Sequence, residues 1–307
     1  MSNNFFKERT EPYQLKVLNY LHVRMSFTEK EKKYLENLRK GYAGEKQFDL
    51  WLSQLTEEYI ILNDLLLEVN HSEFQIDSFV ISQPNIYVFD VKNLEGDYYI
   101  DANGHWFKKP NLESKNHLMQ IQRSETLLRQ LFQQHNLLFQ IKSYLVFVNP
   151  EFVLLQANKD LPIIYPNQLQ RFQKQLLHSP SKLQPKHNQL AHKMLSLHKT
   201  KSSTNKIPEY EYEKLRRGIV CCECKLFSVS VNKQYILCND CGVMETVEKA
   251  IVRNVKEIMF LFPSCKITTQ LVFEWCLIIE CTRRISRVLK KHFKLIRKGN
   301  QSYYVDE

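Results

Sequence analysis

The segment Ile86-Tyr87-Val88-Phe89-Asp90-Val91-Lys92 places an acid and an amine two residues apart at the end of an apolar run. Side chains of a strand alternate between faces, so Ile86, Val88, Asp90 and Lys92 are expected to point the same way. A second apolar run, Phe74-Gln75-Ile76-Asp77-Ser78-Phe79-Val80-Ile81, carries Asp77 in its middle. Charges in strands this apolar are costly unless they are paired or bound to a metal. A hard divalent cation takes carboxylate and carbonyl oxygens, so Asp77, Asp90 and the Val91 carbonyl form an expected ligand set for Mg²⁺ or Mn²⁺. The chemistry that uses such a set is hydrolysis of a phosphodiester. The ion lowers the pKa of a bound water and neutralises charge on the phosphate. Lys92, on the same face, would position that water or stabilise the transition state. An isolated Asp-x-Lys on a strand is more often an ion pair or a solvated edge, so the surrounding residues decide the reading.

A second constellation lies far downstream. Cys221-x2-Cys224 and Cys238-x2-Cys241 are separated by thirteen residues, two knuckles able to close a tetrahedron of thiolates around structural Zn²⁺. Four thiolates close the coordination shell, which excludes a catalytic zinc. Strand-like runs around Asn232-Lys233 predict the hairpin that brings the knuckles together, and Gly242 suits the turn after the second. Cys222 is the alternative to Cys221. Cys265, Cys276 and Cys281, beside Phe262, Trp275 and Ile285, are expected to be buried apolar thiols.

The elements that must hold these residues can be read from periodicity. Phe27 to Leu55 has apolar residues at threes and fours and predicts a helix, with Gly41 and Gly44 marking close backbone packing. Short β-rich runs follow at Tyr59 to Leu62, Phe74 to Ser82, Ile86 to Lys92 and Asp97 to Asp101. Leu112 to Gln134 returns to the helical period, and Ser143 to Val148 suits a buried strand. This order describes an α/β domain. The expected organisation is an N-terminal helical extension (1–37), the α/β domain (38–178), a basic linker (179–208) with one short helix around Leu190 to Leu197, a zinc ribbon (209–245) and a basic tail (246–307).

Composition narrows the function classes. The 307 residues include only 7 glycines, and neither GxGxxG nor GxxxxGK[ST] can be assembled from them, which excludes the usual Gly-rich nucleotide cradles. No HExxH occurs. The formal net charge is +10, favouring a polyanionic partner, and the excess is concentrated. No acid occurs from Leu161 to Pro208 or from Cys281 to Val305, and the latter stretch holds eight Lys and Arg. No apolar run suits a membrane span and no leader pattern follows Met1. The expectation is a cytoplasmic chain with no membrane partner and with reduced or metal-bound cysteines.

With the residues in hand, Gly41-Tyr42-Ala43-Gly44-Glu45, Gln75-Ile76-Asp77, Phe89-Asp90-Val91-Lys92-Asn93-Leu94-Glu95-Gly96, Trp106 and Gln120 together resemble the nuclease-related domain (NERD) family, a branch of the PD-(D/E)xK nuclease superfamily. The resemblance covers roughly residues 38 to 150. It implies a restriction-endonuclease-like fold, a central mixed sheet flanked by helices. It also implies that Glu45 on the first helix assists the metal site, that Asp77 and Asp90 are ligands, that Lys92 is the catalytic lysine and that Gln120 lines the site. Asp90 stands where the family more often shows Glu. His105 and Trp106 read as structural.

In the tail, Ile285, Val288, Leu289 and Phe293 form one helical face and leave Arg283, Arg284, Arg287, Lys290 and Lys291 on the other. The pattern of helix, connector, helix and hairpin resembles winged helix-turn-helix modules. It implies a basic helix meeting nucleic acid, with Arg297 and Lys298 near the wing touching the backbone. The leading expectation is a Mg²⁺-dependent endonuclease acting on DNA rather than RNA. The alternative is a catalytically inactive nucleic-acid-binding or regulatory protein that retains the nuclease scaffold. A protein-interaction scaffold indifferent to nucleic acid is disfavoured by the basic tail.

Overall fold

A computed structural model gives the structure of the chain. It describes residues 4–83, 85–178, 182–200, 206–298 and 301–306, with only the backbone of Lys298 and Gln301. The elements in chain order are β1 (Phe5–Lys7), α1 (Tyr13–Arg24), α2 (Glu29–Leu52), β2 (Ile60–Val69), β3 (Ser72–Ile81), β4 (Asn85–Lys92), β5 (Gly96–Ile100), β6 (Trp106–Lys108), β7 (Leu112–Ser114) and α3 (His117–Gln134). They continue with β8 (Gln140–Phe147), β9 (Phe152–Leu155), β10 (Ile163–Ile164), α4 (Leu169–His178), α5 (Pro185–Leu197), β11 (Val229–Asn232), β12 (Tyr235–Cys238) and β13 (Met244–Thr246). The last are α6 (Val247–Leu261), α7 (Thr269–Cys276), α8 (Thr282–His292), β14 (Lys294–Lys298) and β15 (Gln301–Val305). The chain divides into two units. The first holds residues up to Pro12 and the described residues from Glu36 to 200; the second holds Tyr13–Leu35 and the described residues from Lys206 onward.

In the first unit, β2, β3 and β4 are apolar on both faces, the pattern of strands covered from two sides. They lie in a six-stranded sheet of order β1-β2-β3-β4-β8-β10. The pairs β2–β3 and β3–β4 are antiparallel, whereas β1–β2, β4–β8 and β8–β10 are parallel. Helices cover both faces. Ile86 and Val88 pack with Leu128, Leu131 and Phe132 of α3 and with Leu190, Ala191 and Met194 of α5. On the opposite face Tyr87, Phe89 and Val91 pack with Phe48 and Leu52 of α2 and Leu176 of α4. The central mixed sheet flanked by helices is therefore as the resemblance implied. A smaller sheet of order β7-β6-β5-β9 buries Trp106 against Tyr98, Phe147 and Phe152.

Several local expectations are corrected. Leu112 starts a strand, and helix α3 begins at His117 because Asn116 caps it, its side chain accepting the amides of Leu118 and Met119 at 3.0 and 3.3 Å. The segment expected as a linker contains α5, whose apolar stripe is fully buried in the sheet's core. The N-terminal segment is not one helical extension: β1 joins the sheet beside β2, while α1 belongs to the second unit. Of the two helix glycines, only Gly44 is a close approach. A Cβ there would lie 2.5 Å from Asn93 Cβ, whereas one at Gly41 would meet nothing within 4 Å.

The second unit is built on α6, which packs against α1, α7 and α8. Strands β11, β12 and β13 form an antiparallel three-stranded sheet, and β14 and β15 form a hairpin. Arg24 at the end of α1 is fully buried. It pairs with Glu257 at 2.5 and 3.0 Å, donates to the carbonyls of Arg216 and Gly218, and lies 4.3 Å from the centroid of the Trp275 ring. Among the described residues no helix is long and apolar enough to cross a membrane.

Candidate active site

Pairing between β3 and β4 runs from Ile81↔Ile86 to Ser78↔Phe89 and then stops. Asp77 and Asp90 are the next residue of each strand, so they flank the point where the sheet opens. β4 continues past it, held by β8 from Asn85↔Gln140 to Lys92↔Phe147. On the other side, the β2–β3 ladder skips one position between Asn63↔Ser78 and Leu65↔Ile76, where Asp64 has a φ of 53°. Both strands change face there. Ile60, Leu62, Phe79 and Ile81 enter one core before the switch, and Leu65, Leu67, Phe74 and Ile76 enter the same core after it. Asp77 sits at the switch, released from regular alternation.

The fork gathers the expected side chains. Asp77 Oδ2 accepts the Val91 amide at 2.7 Å, replacing the strand partner that β3 no longer supplies. Gln120 Nε2, reaching from the first turn of α3, donates to Asp90 Oδ1 at 2.9 Å. Lys92 Nζ lies 2.8 Å from Asp90 Oδ2. Asp90 and Lys92 thus share a face, as strand alternation requires. The contact is a charge-assisted pairing of the ammonium with the carboxylate. Burial, and then Asp77, push the Asp90 carboxyl up to about 6 although Lys92 opposes the shift. For Lys92, burial works against the charged form but is outweighed by Asp90, Asp77 and Glu45, so its pKa is raised. The ammonium is retained because three carboxylates surround it.

Glu45 projects from α2 into the same cluster, and burial and Asp77 push its carboxyl up to about 8. Its Oε2 is paired with a residue that sequence reading missed. Arg9, just after β1, donates Nη1 to Glu45 Oε2 at 2.7 Å, Nε and Nη2 to Asp49 at 2.9 and 3.1 Å, and Nη2 to the Asp77 carbonyl at 2.7 Å. Its side chain is 1% exposed. Asp49 had a legible signal, since it is four residues from Glu45 and so on the same helix face; Arg9 had none. His117 also borders the cluster: burial, Lys92 and Lys115 lower it to about 4. Its ring stands edge-on to Trp106 at 5.7 Å.

Hard oxygen ligands suit a divalent cation, and the fork offers two buried carboxylates on adjacent strands. These residues fit Mg²⁺ or Mn²⁺. The cysteine centre fits a softer ion. The sulfurs of Cys221, Cys224, Cys238 and Cys241 all lie within 4.8 Å of one another, with Cys221–Cys241 and Cys224–Cys238 at 3.5 Å. A tetrahedral zinc with bonds of about 2.3 Å needs sulfurs about 3.8 Å apart. The amides of Cys241 and Asp240 lower the Cys238 thiol to about 7, favouring thiolate. Cys222 is not in the quartet. Cys276 is buried, but Cys265 is half-buried and Cys281 exposed, because Cys281 precedes α8 outside the face that packs.

Helix α8 buries Ile285, Val288 and Leu289, with Phe293 after it, and exposes Arg283, Arg287, Lys290 and Lys291; Arg297 on β14 is exposed too. Arg284 is half-buried and donates Nη1 to the Lys233 carbonyl at 2.7 Å, tying the β11–β12 turn to the start of α8. A groove of about 690 Å³ runs there, lined by Lys233, Gln234, Arg283, Arg284 and Arg287. Lys291 is paired with Glu248 at 2.7 Å. The Lys298 side chain lies outside the described residues.

The family model for the nuclease-related domain (NERD) matches residues 40–148, the stretch that contains α2 from its middle, the fork and α3. This stretch of the first unit is thus similar to a nuclease-related domain, a nuclease fold, and the likeness suggests a nuclease-like function and contact with nucleic acid. No curated protein and no solved structure matches the chain.

Proposed function

We propose that the first unit hydrolyses phosphodiester bonds of DNA at the β3–β4 fork as a metal-dependent endonuclease. The observation that carries this is the meeting of Asp77, Asp90 and Lys92 in one buried cluster, with Lys92 Nζ 2.8 Å from Asp90. Asp77, Asp90 and the Val91 carbonyl would hold Mg²⁺ or Mn²⁺, which when bound lowers the pKa of water and offsets charge on the phosphate. The chain's own groups do the rest. Gln120 fixes the Asp90 carboxylate through Oδ1, and the Val91 amide fixes that of Asp77. Lys92 stays protonated beside them, so it contributes a positive charge to the phosphate and a donor for the attacking water rather than a base. Glu45 borders the same cluster.

The second unit supplies a hold on the polyanion. Zinc in the cysteine quartet would fix the β11–β12 hairpin, and Arg283, Arg284, Arg287, Lys290, Lys291 and Arg297 would meet backbone phosphates, with attraction that weakens as salt rises. Plasmid DNA incubated with Mg²⁺ or Mn²⁺ tests the reading: the wild-type chain should nick it and Lys92→Ala should lose cleavage while binding DNA as before. Equal cleavage by that variant ends the proposal. A second reading, a non-catalytic nucleic-acid binder, is favoured by one observation: Lys92 is already countered by Asp90, and Glu45 by Arg9. Binding without cleavage by the wild-type chain would select it.

A further inference from the structure

Two-ion nucleolytic sites hold their cations about 3.5–4 Å apart, and the pair draws on acidic oxygens from more than two side chains. At the fork, Asp77 and Asp90 serve one position. A second position needs Glu45 or an acid behind it. Asp49, one turn further along α2, has both oxygens taken by Arg9, with Asn63 Nδ2 adding a bond to Oδ1 at 2.9 Å. Asp64, the other acid acting on Glu45, accepts from Gln75 Nε2 at 2.7 Å. Glu45 itself has Oε2 against Arg9 Nη1.

Arg9 therefore stands among the groups a second ion would use. A guanidinium keeps its charge at every physiological pH, and its five N–H donors form a fixed planar fork. Here those donors reach both helix carboxylates, the Asp77 carbonyl and Ser78 Oγ. With a side chain 1% exposed, the group is held on all sides away from solvent. A cation beside Glu45 would meet a fixed positive charge within contact distance of its own ligand.

We infer that the Arg9 guanidinium takes the place of a second metal ion, so that the fork binds one divalent cation through Asp77 and Asp90 and Glu45 serves as the partner of Arg9. Arg9 is then a positioning residue that sets metal stoichiometry, supplied from outside the matched stretch 40–148. The inference rests on the metal-dependent reading above.

Mn²⁺ titration of the zinc-loaded full chain, by calorimetry and by counting free Mn²⁺ from its paramagnetic resonance, tests it without an activity readout. Mn²⁺ does not displace zinc from thiolates, and Asp90→Asn reports any binding elsewhere. One Mn²⁺ per wild-type chain is expected, absent in Asp90→Asn and bound within fivefold of the wild-type Kd in Glu45→Gln. Arg9→Met should take up a second Mn²⁺ that Arg9→Met/Glu45→Gln loses again. Two Mn²⁺ in the wild type, a folded Arg9→Met that still binds one, or a loss above fivefold in Glu45→Gln overturns the inference while leaving the metal-dependent site standing. No Mn²⁺ at all in the wild type overturns that reading and the inference with it. Should Arg9→Met fail to fold, the wild-type count and Glu45→Gln decide.

Discussion

Gly41 and Gly44 lie one turn apart in α2, and the structure assigns their alanine variants opposite signs. A Cβ at Gly41 meets nothing within 4 Å, so Gly41→Ala collects the helix-propensity difference alone, about 0.8–1 kcal/mol of stabilisation. Gly44→Ala collects the same gain, but its Cβ falls 2.5 Å from Asn93 Cβ and 3.2 Å from Val148 Cγ2. Asn93 Cβ is not the end of a flexible side chain, so α2 or the exit of β4 must move. Overpacking of this kind costs about 1–3 kcal/mol. Displacing Asn93 also endangers its 2.9 Å bond to the Lys40 carbonyl, about another 1 kcal/mol. The net loss is about 1–3 kcal/mol, which for a unit of this size lowers Tm by about 2–12 °C. Gly41→Ala should instead raise Tm by about 2–4 °C. Scanning calorimetry of the two variants beside the wild type reads both shifts. Since Glu45 follows Gly44 directly, Gly44→Ala should also lower cleavage. Equal melting of the two variants would refute the close approach of α2 to β4.

Three further outcomes are expected. Arg24→Met leaves Glu257 buried without its partner at 3% side-chain exposure, so it should destabilise the second unit by about 3–5 kcal/mol in denaturant titration, with Arg24→Met/Glu257→Leu recovering much of it; a loss below 1 kcal/mol in the single variant contradicts the pairing. Chelation should remove one zinc per chain and strip hydrogen-exchange protection from β11, β12 and β13 while sparing β2 to β4, and Cys238→Ser should mimic it whereas Cys222→Ser should not; unchanged exchange after chelation rejects the metal centre. His117, lowered to about 4 from an ordinary 6.5, is held neutral in the folded state, so its contribution is complete above pH 6.5 and disappears as pH falls through 4; His117→Gln should flatten the stability curve between these values, and an unchanged slope would show that the histidine is not held neutral.

The residues that carry chemistry were legible where the signal is local. Asp90 and Lys92 share a face because strand alternation is local, the cysteine quartet announces itself by spacing, and α8 shows its apolar stripe in one helical period. Residues whose partners are distant were not. Arg9 contacts Glu45, Asp49 and Asp77, 36 to 68 positions away, and nothing around Arg9 marks it. The face switch at Asp64 and Asp77 was hidden for another reason: alternation assumes an unbroken ladder, and a left-handed Asp64 breaks it. Helix α5 reads from sequence as a short helix within a linker because its exposed faces are polar and basic. Leu190, Ala191 and Met194 are its fully buried apolar residues, too few to outweigh the Ser, Pro and Lys on either side. The start of α3 was misplaced because Leu112 fits the helical period, while the true boundary is set by the Asn116 side chain bonding to two amides.

The same contrast bears on what constitutes the catalytic unit. The stretch from 40 to 148 contains every acid at the fork, yet the charge that balances Glu45 and Asp49 comes from Arg9, and β1 beside it pairs with the outer edge of β2. Part of the cover of each sheet face lies beyond residue 148, from α5 on one face and α4 on the other. Carboxylates crowded at a buried fork repel one another, and burial already pushes Glu45 and Asp90 well above the usual carboxylate range. A chain cut to 40–148 would keep the acids, lose the guanidinium and expose apolar residues on both faces of the sheet. The acidic cluster of the nuclease-related stretch thus has its electrostatic balance completed from outside it, by Arg9. On the proposed reading, the same balance would set how many cations the fork accepts, because each fixed positive charge placed among the acids is one a metal does not need to supply.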